Sequence, residues 1–268
     1  MPATNDAELA QASARLEAAV REAGLLALSL FRTPLKSWTK GPSSSPVCEA
    51  DIAVDDLLRQ RLAGDGTAWL SEESTDDAAR LAARRVWIVD PIDGTRAYIA
   101  GAPDWAVSAA LVEDGRPVAA CLYAPASDEL FAARAGAGAT RNGVPIATTA
   151  GAELKDARIA GPKLLLERLA AVAPPFAVVP RERSLALRLT RVAQGRCDAA
   201  FAGGNSHDWD LAAADLLVHE AGGALTALNG DPVAYNGSVP RHGTLVAAGR
   251  DRHATLIELF GDGRLAFS

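Results

Sequence analysis

Long apolar runs, an excess of basic residues and paired cysteines are what this 268-residue chain has least of. Its longest apolar stretch, Leu25 to Phe31 interrupted by Ser29, falls well short of the roughly 20 residues that span a bilayer. The N-terminus carries Asp6 and Glu8 rather than a basic-then-apolar leader, so the expectation is a cytoplasmic protein with no membrane partner. A formal charge of -6 and an isoelectric point near 5.3 argue against a nucleic-acid polymer, because an acidic surface gains nothing from a polyanion. Cys48, Cys121 and Cys197 are odd in number and make no CxxC pair, which excludes a disulfide framework or zinc knuckle and leaves reduced thiols. The 4 histidines form no HxxxH-type pair, so zinc is a poor fit. Neither internal repeats nor low-complexity segments occur, which sets solenoids aside.

What the chain does have is 49% hydrophobic residues, enough for a sizeable core in one large domain or two packed subdomains. Leu9, Ala12, Leu16, Ala19, Ala23 and Leu26 recur at three- and four-residue steps and predict a packing helix over 6–31. Residues 33–46, rich in Pro, Ser, Lys and Gly, predict a flexible surface loop carrying Lys40. A second helical stripe opens at Asp51, whose carboxylate reads equally as a helix-start acid and as a functional group. Segments 105–112 and 118–124, then Leu130 to Ala133 and Arg141-Asn142-Gly143, read as an antiparallel meander. From residue 158 strands and helices alternate, which argues for an α/β layer. The expected division is an N-terminal α+β subdomain, 1–150, and a C-terminal α/β subdomain, 151–268.

Chemistry concentrates at Val86-Trp87-Ile88-Val89-Asp90-Pro91-Ile92-Asp93-Gly94-Thr95. Four apolar residues read as a buried strand that ends on a carboxylate, and Pro91 removes a ladder donor. Asp93, Gly94 and Thr95 then bring a second carboxylate, a close backbone approach and a hydroxyl at a helix start. Together with Glu72 and Asp210, these acids make a hard oxygen set suited to Mg²⁺. Asp90 reads as a bridge between paired ions, with Glu72 completing one ion, Asp93 and Asp210 the other, and the Ile92 carbonyl facing the same pocket. Thr95 beside Asp51 would activate a water, while the Gly94 and Thr95 amides would cradle phosphate. Glu73 reads as a neighbour of Glu72 rather than a ligand, and Asp208 as a surface or capping acid.

Asp90-Pro91-Ile92-Asp93-Gly94-Thr95, Trp209-Asp210-Leu211-Ala212-Ala213 and Glu220-Ala221-Gly222-Gly223 resemble, in order, the motifs of the inositol monophosphatase superfamily. Ser71-Glu72-Glu73-Ser74 and Ser45-Pro46-Val47-Cys48-Glu49-Ala50-Asp51 resemble its supporting segments. The resemblance implies an αβαβα layered fold, hydrolysis of a small phosphorylated substrate with two or three Mg²⁺ ions, Li⁺ sensitivity and a possible homodimer. It also implies the ligand roles above, with Lys40 on the loop that helps complete the metal site. Three departures stand out: Cys48 where the family has Thr or Ser, Gly203 where inositol-preferring members have Glu, and Arg183 where a glycine precedes the hydroxyl of Ser184 in the substrate wall. Gly203 with Arg181, Arg183 and Arg188 turns the expected substrate toward 3'(2')-phosphoadenosine 5'-phosphate, as in the bacterial bisphosphate nucleotidase branch. The alternative is inositol 1-phosphate or a broad range of sugar phosphates. A reading of another class, motivated by Cys48, is a catalytically silent metal-dependent binder.

Overall fold

A computed structural model describes residues 6–40, 45–64 and 66–261. Helix α1 (Asp6–Leu30) lays Leu16, Ala19, Val20, Ala23 and Ala27 against the core. The segment expected to be a loop instead forms a ribbon, β1 (Ser37–Lys40) antiparallel to β2 (Ser45–Cys48), because Val47 and Cys48 are buried and anchor the second strand. Gly41, Pro42, Ser43 and Ser44 of that segment lie outside the described residues. Helix α2 (Glu49–Leu62) follows, then β3 (Ala68–Ser71), β4 (Arg85–Asp93) and the short helix α3 (Thr95–Ile99).

The meander is β5 (Ala106–Glu113), β6 (Arg116–Ala124), β7 (Glu129–Arg134), β8 (Ala139–Arg141) and β9 (Val144–Ile146). With β3 and β4 it makes a seven-stranded sheet ordered β3-β4-β5-β6-β7-β8-β9, in which only β3 and β4 pair in parallel. The chain then passes to β10 (Arg158–Ala160), α4 (Lys163–Ala170), β11 (Ala177–Val178), α5 (Leu185–Ala193) and β12 (Ala199–Ala202). It closes through β13 (Ser206–His207), α6 (Asp208–Glu220), β14 (Gly223–Ala227), β15 (Arg241–His242), β16 (Leu245–Gly249) and α7 (Arg250–Gly261). The second sheet runs β11-β10-β12-β16-β14.

Five layers result. Helices α1 and α2 cover the outer face of the first sheet, α5 and α6 lie between the sheets, and α4 and α7 cover the second sheet from outside. Central strands therefore bury both faces, and their sequences show continuous apolar runs rather than alternation. In β4, Val86 and Ile88 face the inter-sheet core while Trp87 and Val89 face α1 and α2. Each fully buried leucine, such as Leu16, Leu58 or Leu62, contributes about 1.5–3 kcal/mol of burial energy. All three cysteines are buried and unbridged. Among the described residues no helix is long and apolar enough to cross a membrane.

Candidate metal and phosphate site

Strand alternation would send Asp90 and Asp93, three residues apart, to opposite faces of the sheet. A bulge prevents this. The β4–β5 register pairs Asp90 with Ser108 and resumes with Asp93 opposite Ala106, so one extra residue sits on β4 where Pro91 has no N–H to offer. Both carboxylates consequently turn to the same end of the strand. Glu72 arrives beside them because β3 runs parallel to β4 and its own N–H donates to the Val89 carbonyl at 3.3 Å.

Asp210 comes from the first turn of α6, where its Oδ2 accepts the His207 N–H at 2.7 Å. Asp51 holds the equivalent position in α2 and accepts the Cys48 N–H at 2.8 Å. A third helix, α5, points its start at Asp93: the Ser184 hydroxyl and the Leu185 and Ala186 amides donate to that carboxylate. Three helix starts thus converge on the acids, and their partial positive charge favours anionic groups.

One carboxylate oxygen from each of Asp90, Asp93 and Asp210 lies within 4.8 Å of the other two. Asp90 is buried and its Oδ1 has no hydrogen-bond partner. Burial first, and then repulsion among Glu72, Asp90, Asp93 and Asp210, pushes the carboxyls of Glu72, Asp90 and Asp93 up. An orphaned buried oxygen within an all-oxygen, mutually repelling set fits a hard divalent cation such as Mg²⁺, which would offset the repulsion. Lys40 supplies part of that charge: its Nζ donates to Glu73 Oε1 and to the Glu72 carbonyl, each at 2.7 Å, and stands 3.6 Å from Glu72 Oε1.

Thr95 Oγ1 stands 3.1 Å from Asp51 Oδ1 and 3.0 Å from the Ile92 carbonyl, so its single proton has two acceptors. Asp51 also accepts from the Cys48 thiol at 2.9 Å. Burial pushes the Asp51 carboxyl up, and these hydrogen bonds pull the other way.

The acids open into a cleft of about 740 Å³ lined by Ser45, Glu72, Asp90, Asp93, Gly94, Thr95, Arg96, Arg181, Arg183 and Asp210, with Asp51 behind Thr95. Two expected wall residues stand elsewhere. Ser184 is fully buried and its hydroxyl serves Asp93 and the Leu187 N–H, because a helix-cap position points the side chain at its own first turn. Gly203 does not line the cleft and stands beside Pro162 instead. Asp208 is no surface acid either: it is buried, accepting from His242 Nε2 at 2.6 Å and the Asn236 N–H at 2.7 Å. Sequence reasoning passed over Arg96, although a basic residue directly after Asp-Gly-Thr was the available signal. It also passed over Asp104, whose carboxylate accepts the Arg183 N–H at 2.8 Å; nothing local marks it.

Comparison with known proteins gives a consistent answer. The Inositol monophosphatase family model matches residues 8–263. Inositol-1-monophosphatase of Mesorhizobium japonicum is 37% identical over 212 residues, covering 75% of this chain and 79% of that protein. Histidinol-phosphatase of Mycobacterium tuberculosis is 37% identical over 213 residues, covering 74% and 80%. Among solved structures, the extragenic suppressor protein suhB from Bartonella henselae superposes with a TM-score of 0.80 at 30% identity, covering 93% of this chain and 98% of that one. With its αβαβα layers and its clustered acids, the chain belongs to the inositol monophosphatase family of metal-dependent phosphoric monoester hydrolases.

Proposed function

We infer that this chain hydrolyses a phosphorylated polyol or sugar, of the inositol 1-phosphate kind, in the cleft that holds Asp90, Asp93 and Asp210. The observation that carries the reading is that cluster, with an unsatisfied buried oxygen on Asp90, facing a pocket wide enough for a hexose phosphate. The Mesorhizobium japonicum relative, named inositol-1-monophosphatase, supports a polyol phosphate over 3'(2')-phosphoadenosine 5'-phosphate, the substrate expected from sequence. Gly203, one basis of that expectation, does not line the cleft.

Glu72, Asp90, Asp93 and Asp210, with the Ile92 carbonyl, are the residues that would hold Mg²⁺. When bound, such ions supply positive charge to the phosphoryl oxygens and the leaving oxygen and lower the pKa of water. The protein's own part is proton handling and orientation. Thr95 Oγ1 takes a proton from the attacking water as it passes its own to Asp51 Oδ1, whose burial-raised affinity suits a base. The water oxygen bonds to phosphorus as the P–O bond to the alcohol breaks; the departing oxygen takes a proton from solvent water in the open cleft, and the hydroxide left behind is neutralised by the proton that Asp51 then returns to solvent. The backbone of Gly94 and Thr95 borders the position of the phosphate, and no covalent enzyme intermediate is needed.

Phosphate release from inositol 1-phosphate at saturating Mg²⁺ tests the reading. Asp93→Asn and Asp210→Asn should each lower kcat by about a hundredfold or more, the scale of a lost metal or electrostatic contribution. Near-normal turnover in either variant would sink the ligand assignment.

A further inference from the structure

Asp208 stands two residues before Asp210 and has no part in the chemistry described above. Its carboxylate is fully buried with both oxygens engaged, Oδ1 by His242 Nε2 at 2.6 Å and Oδ2 by the Asn236 N–H at 2.7 Å. A carboxylate only accepts, so Nε2 is the ring nitrogen that carries hydrogen. An acid in the first turn of a helix ordinarily faces water and the free amides of its own helix. This one turns away from α6: among the described residues, neither of its partners belongs to that helix. Desolvation makes such burial costly, and two charge-assisted hydrogen bonds offset it.

Both partners are anchored elsewhere. His242 lies in β15, whose antiparallel pairing with β13 sets Ser206 against His242 and His207 against Arg241. The His242 carbonyl also accepts the Asn205 N–H at 2.9 Å, and the Pro240 carbonyl accepts the Asp208 N–H at 3.2 Å. Asn236 exchanges its side-chain amide with Arg80: Nδ2 donates to the Arg80 carbonyl at 3.0 Å and Oδ1 accepts from Arg80 Nη1 at 2.8 Å. Arg80 is itself buried, donates to the Gly237 carbonyl at 3.0 Å and pairs with Asp76 at 2.6 Å. It sits on the 3-10 turn Ala78–Ala82, downstream of Glu72. One polar chain therefore runs from Asp76 through Arg80, Asn236 and Asp208 to His242, and joins the segment that follows Glu72 to the start of α6.

The placement matters because of what Asp210 has to do. Its Oδ2 accepts the His207 N–H at 2.7 Å, so the carboxylate goes where residues 207 and 208 go. One of its oxygens lies within 4.8 Å of oxygens from Asp90 and Asp93. Like charges at that separation push apart, and only the fold can hold them together before a cation arrives. Ligands already in place bind more tightly than ligands that must be ordered on binding.

We propose that Asp208, held by His242 and Asn236, is a positioning residue that fixes the first turn of α6, so that Asp210 stands ready beside Asp90 and Asp93 for Mg²⁺. This rests on the ligand assignment of the reading above. It makes the cation affinity of the cleft depend on side chains that do not line it.

Isothermal titration of the full chain with Mg²⁺ tests the role, together with Tm and the Mg²⁺ dependence of phosphate release from inositol 1-phosphate. His242→Leu removes the donor, and Asp208→Asn leaves a side chain of the same size that cannot accept at both positions. Each should raise the Kd for Mg²⁺ about tenfold or more, the scale on which partners behind a metal ligand act. The Mg²⁺ concentration for half-maximal rate should rise in step, while kcat at saturating Mg²⁺ falls far less. His242→Gln, whose amide nitrogen reaches as far as Nε2, should restore most of the affinity. Tyr235→Phe is the control: it keeps the ring beside His242 and removes the hydroxyl that donates to buried Asp215 at 3.0 Å. It should lower Tm and leave the Kd for Mg²⁺ unchanged. A parent-like Kd in His242→Leu or Asp208→Asn, or an equal loss of affinity in Tyr235→Phe, would overturn the role. A parent that binds no Mg²⁺ would overturn the ligand assignment and this role with it. Binding that shifts as expected in a chain that releases no phosphate would leave the role standing and sink the phosphatase reading.

Discussion

Cys48 shows how much one atom can ask of its neighbours. Its thiol is fully buried, with its pKa pushed up to about 12 by burial and then by the adjacent Asp51 charge, so it stays protonated and acts as a donor rather than a nucleophile. Both its N–H and its Sγ reach Asp51 Oδ2, which leaves Oδ1 for Thr95. The departure from a family hydroxyl therefore keeps the geometry and weakens the bond, because sulfur is a poor donor. Cys48→Ser should keep kcat or raise it a fewfold. Cys48→Ala should lower it roughly two- to tenfold, the equivalent of one lost hydrogen bond, with KM little changed because Asp51 stands behind the cleft. Steady-state kinetics on inositol 1-phosphate decides this; an alanine variant as active as the parent would mean that Asp51 needs no such support. The residue types at this site were legible in the chain. What Ser184 does was not, since a hydroxyl reads the same whether it meets substrate or caps a helix.

At the scale of elements, the second sheet depends on a polar clasp. Asp198, just before β12, accepts from the Arg158 N–H at 2.7 Å, from Arg158 Nε and Nη2 at 3.0 Å each, and from Thr149 Oγ1 at 2.8 Å. Burial would raise its pKa, but the Arg158 and Thr149 hydrogen bonds outweigh it and hold the carboxyl at about 2, below the ordinary 3.8. A folded-state pKa below the unfolded one means that the folded chain binds the proton less readily. The clasp therefore contributes fully above about pH 4, and its contribution is lost as pH falls through the window down to about 2. Urea unfolding from pH 5 to pH 3 should show Asp198→Asn losing less stability across that window than the parent. Parallel curves would remove Asp198 from the acid response. The periodicity of the chain foretold β10, the helices and β12, because amphipathic stripes are local. It mistook β1 and β2 for a loop, because a ribbon rich in Ser and Pro is held by what it packs on, not by its own pattern.

Across the whole molecule, the two sheets share one interior: Leu70, Ile88 and Leu122 of the first belong to the same apolar cluster as Leu187, Leu211 and Ala247 from the second half. The sequence boundary near 148–153 falls between the sheets, where β9 ends and β10 begins, yet neither sheet can cover its inner face without α5 and α6. Thermal unfolding should therefore be a single transition. Because the acid cluster repels itself, Mg²⁺ at a hundred times its Kd should stabilise the fold by about 2.7 kcal/mol and raise Tm by roughly 5–10 °C, an effect that chelator reverses. Calorimetry with Mg²⁺ and with EDTA reads both, and two separate transitions or a Tm indifferent to Mg²⁺ would contradict these expectations. By itself the sequence determined the buried strand that carries Asp90, though not its continuation through Pro91 to Asp93, together with the acid set and the family, because β-branched runs, turn residues and carboxylates act through local chemistry. Only the tertiary structure decided which acids meet. A bulge at Pro91 turned Asp90 and Asp93 to one side, and three helix starts from distant parts of the chain brought Asp210, Asp51 and Ser184 to them. It also decided that Arg96, Arg181 and Arg183 face the same cleft, a matter of which loops lie side by side and not of any spacing along the chain.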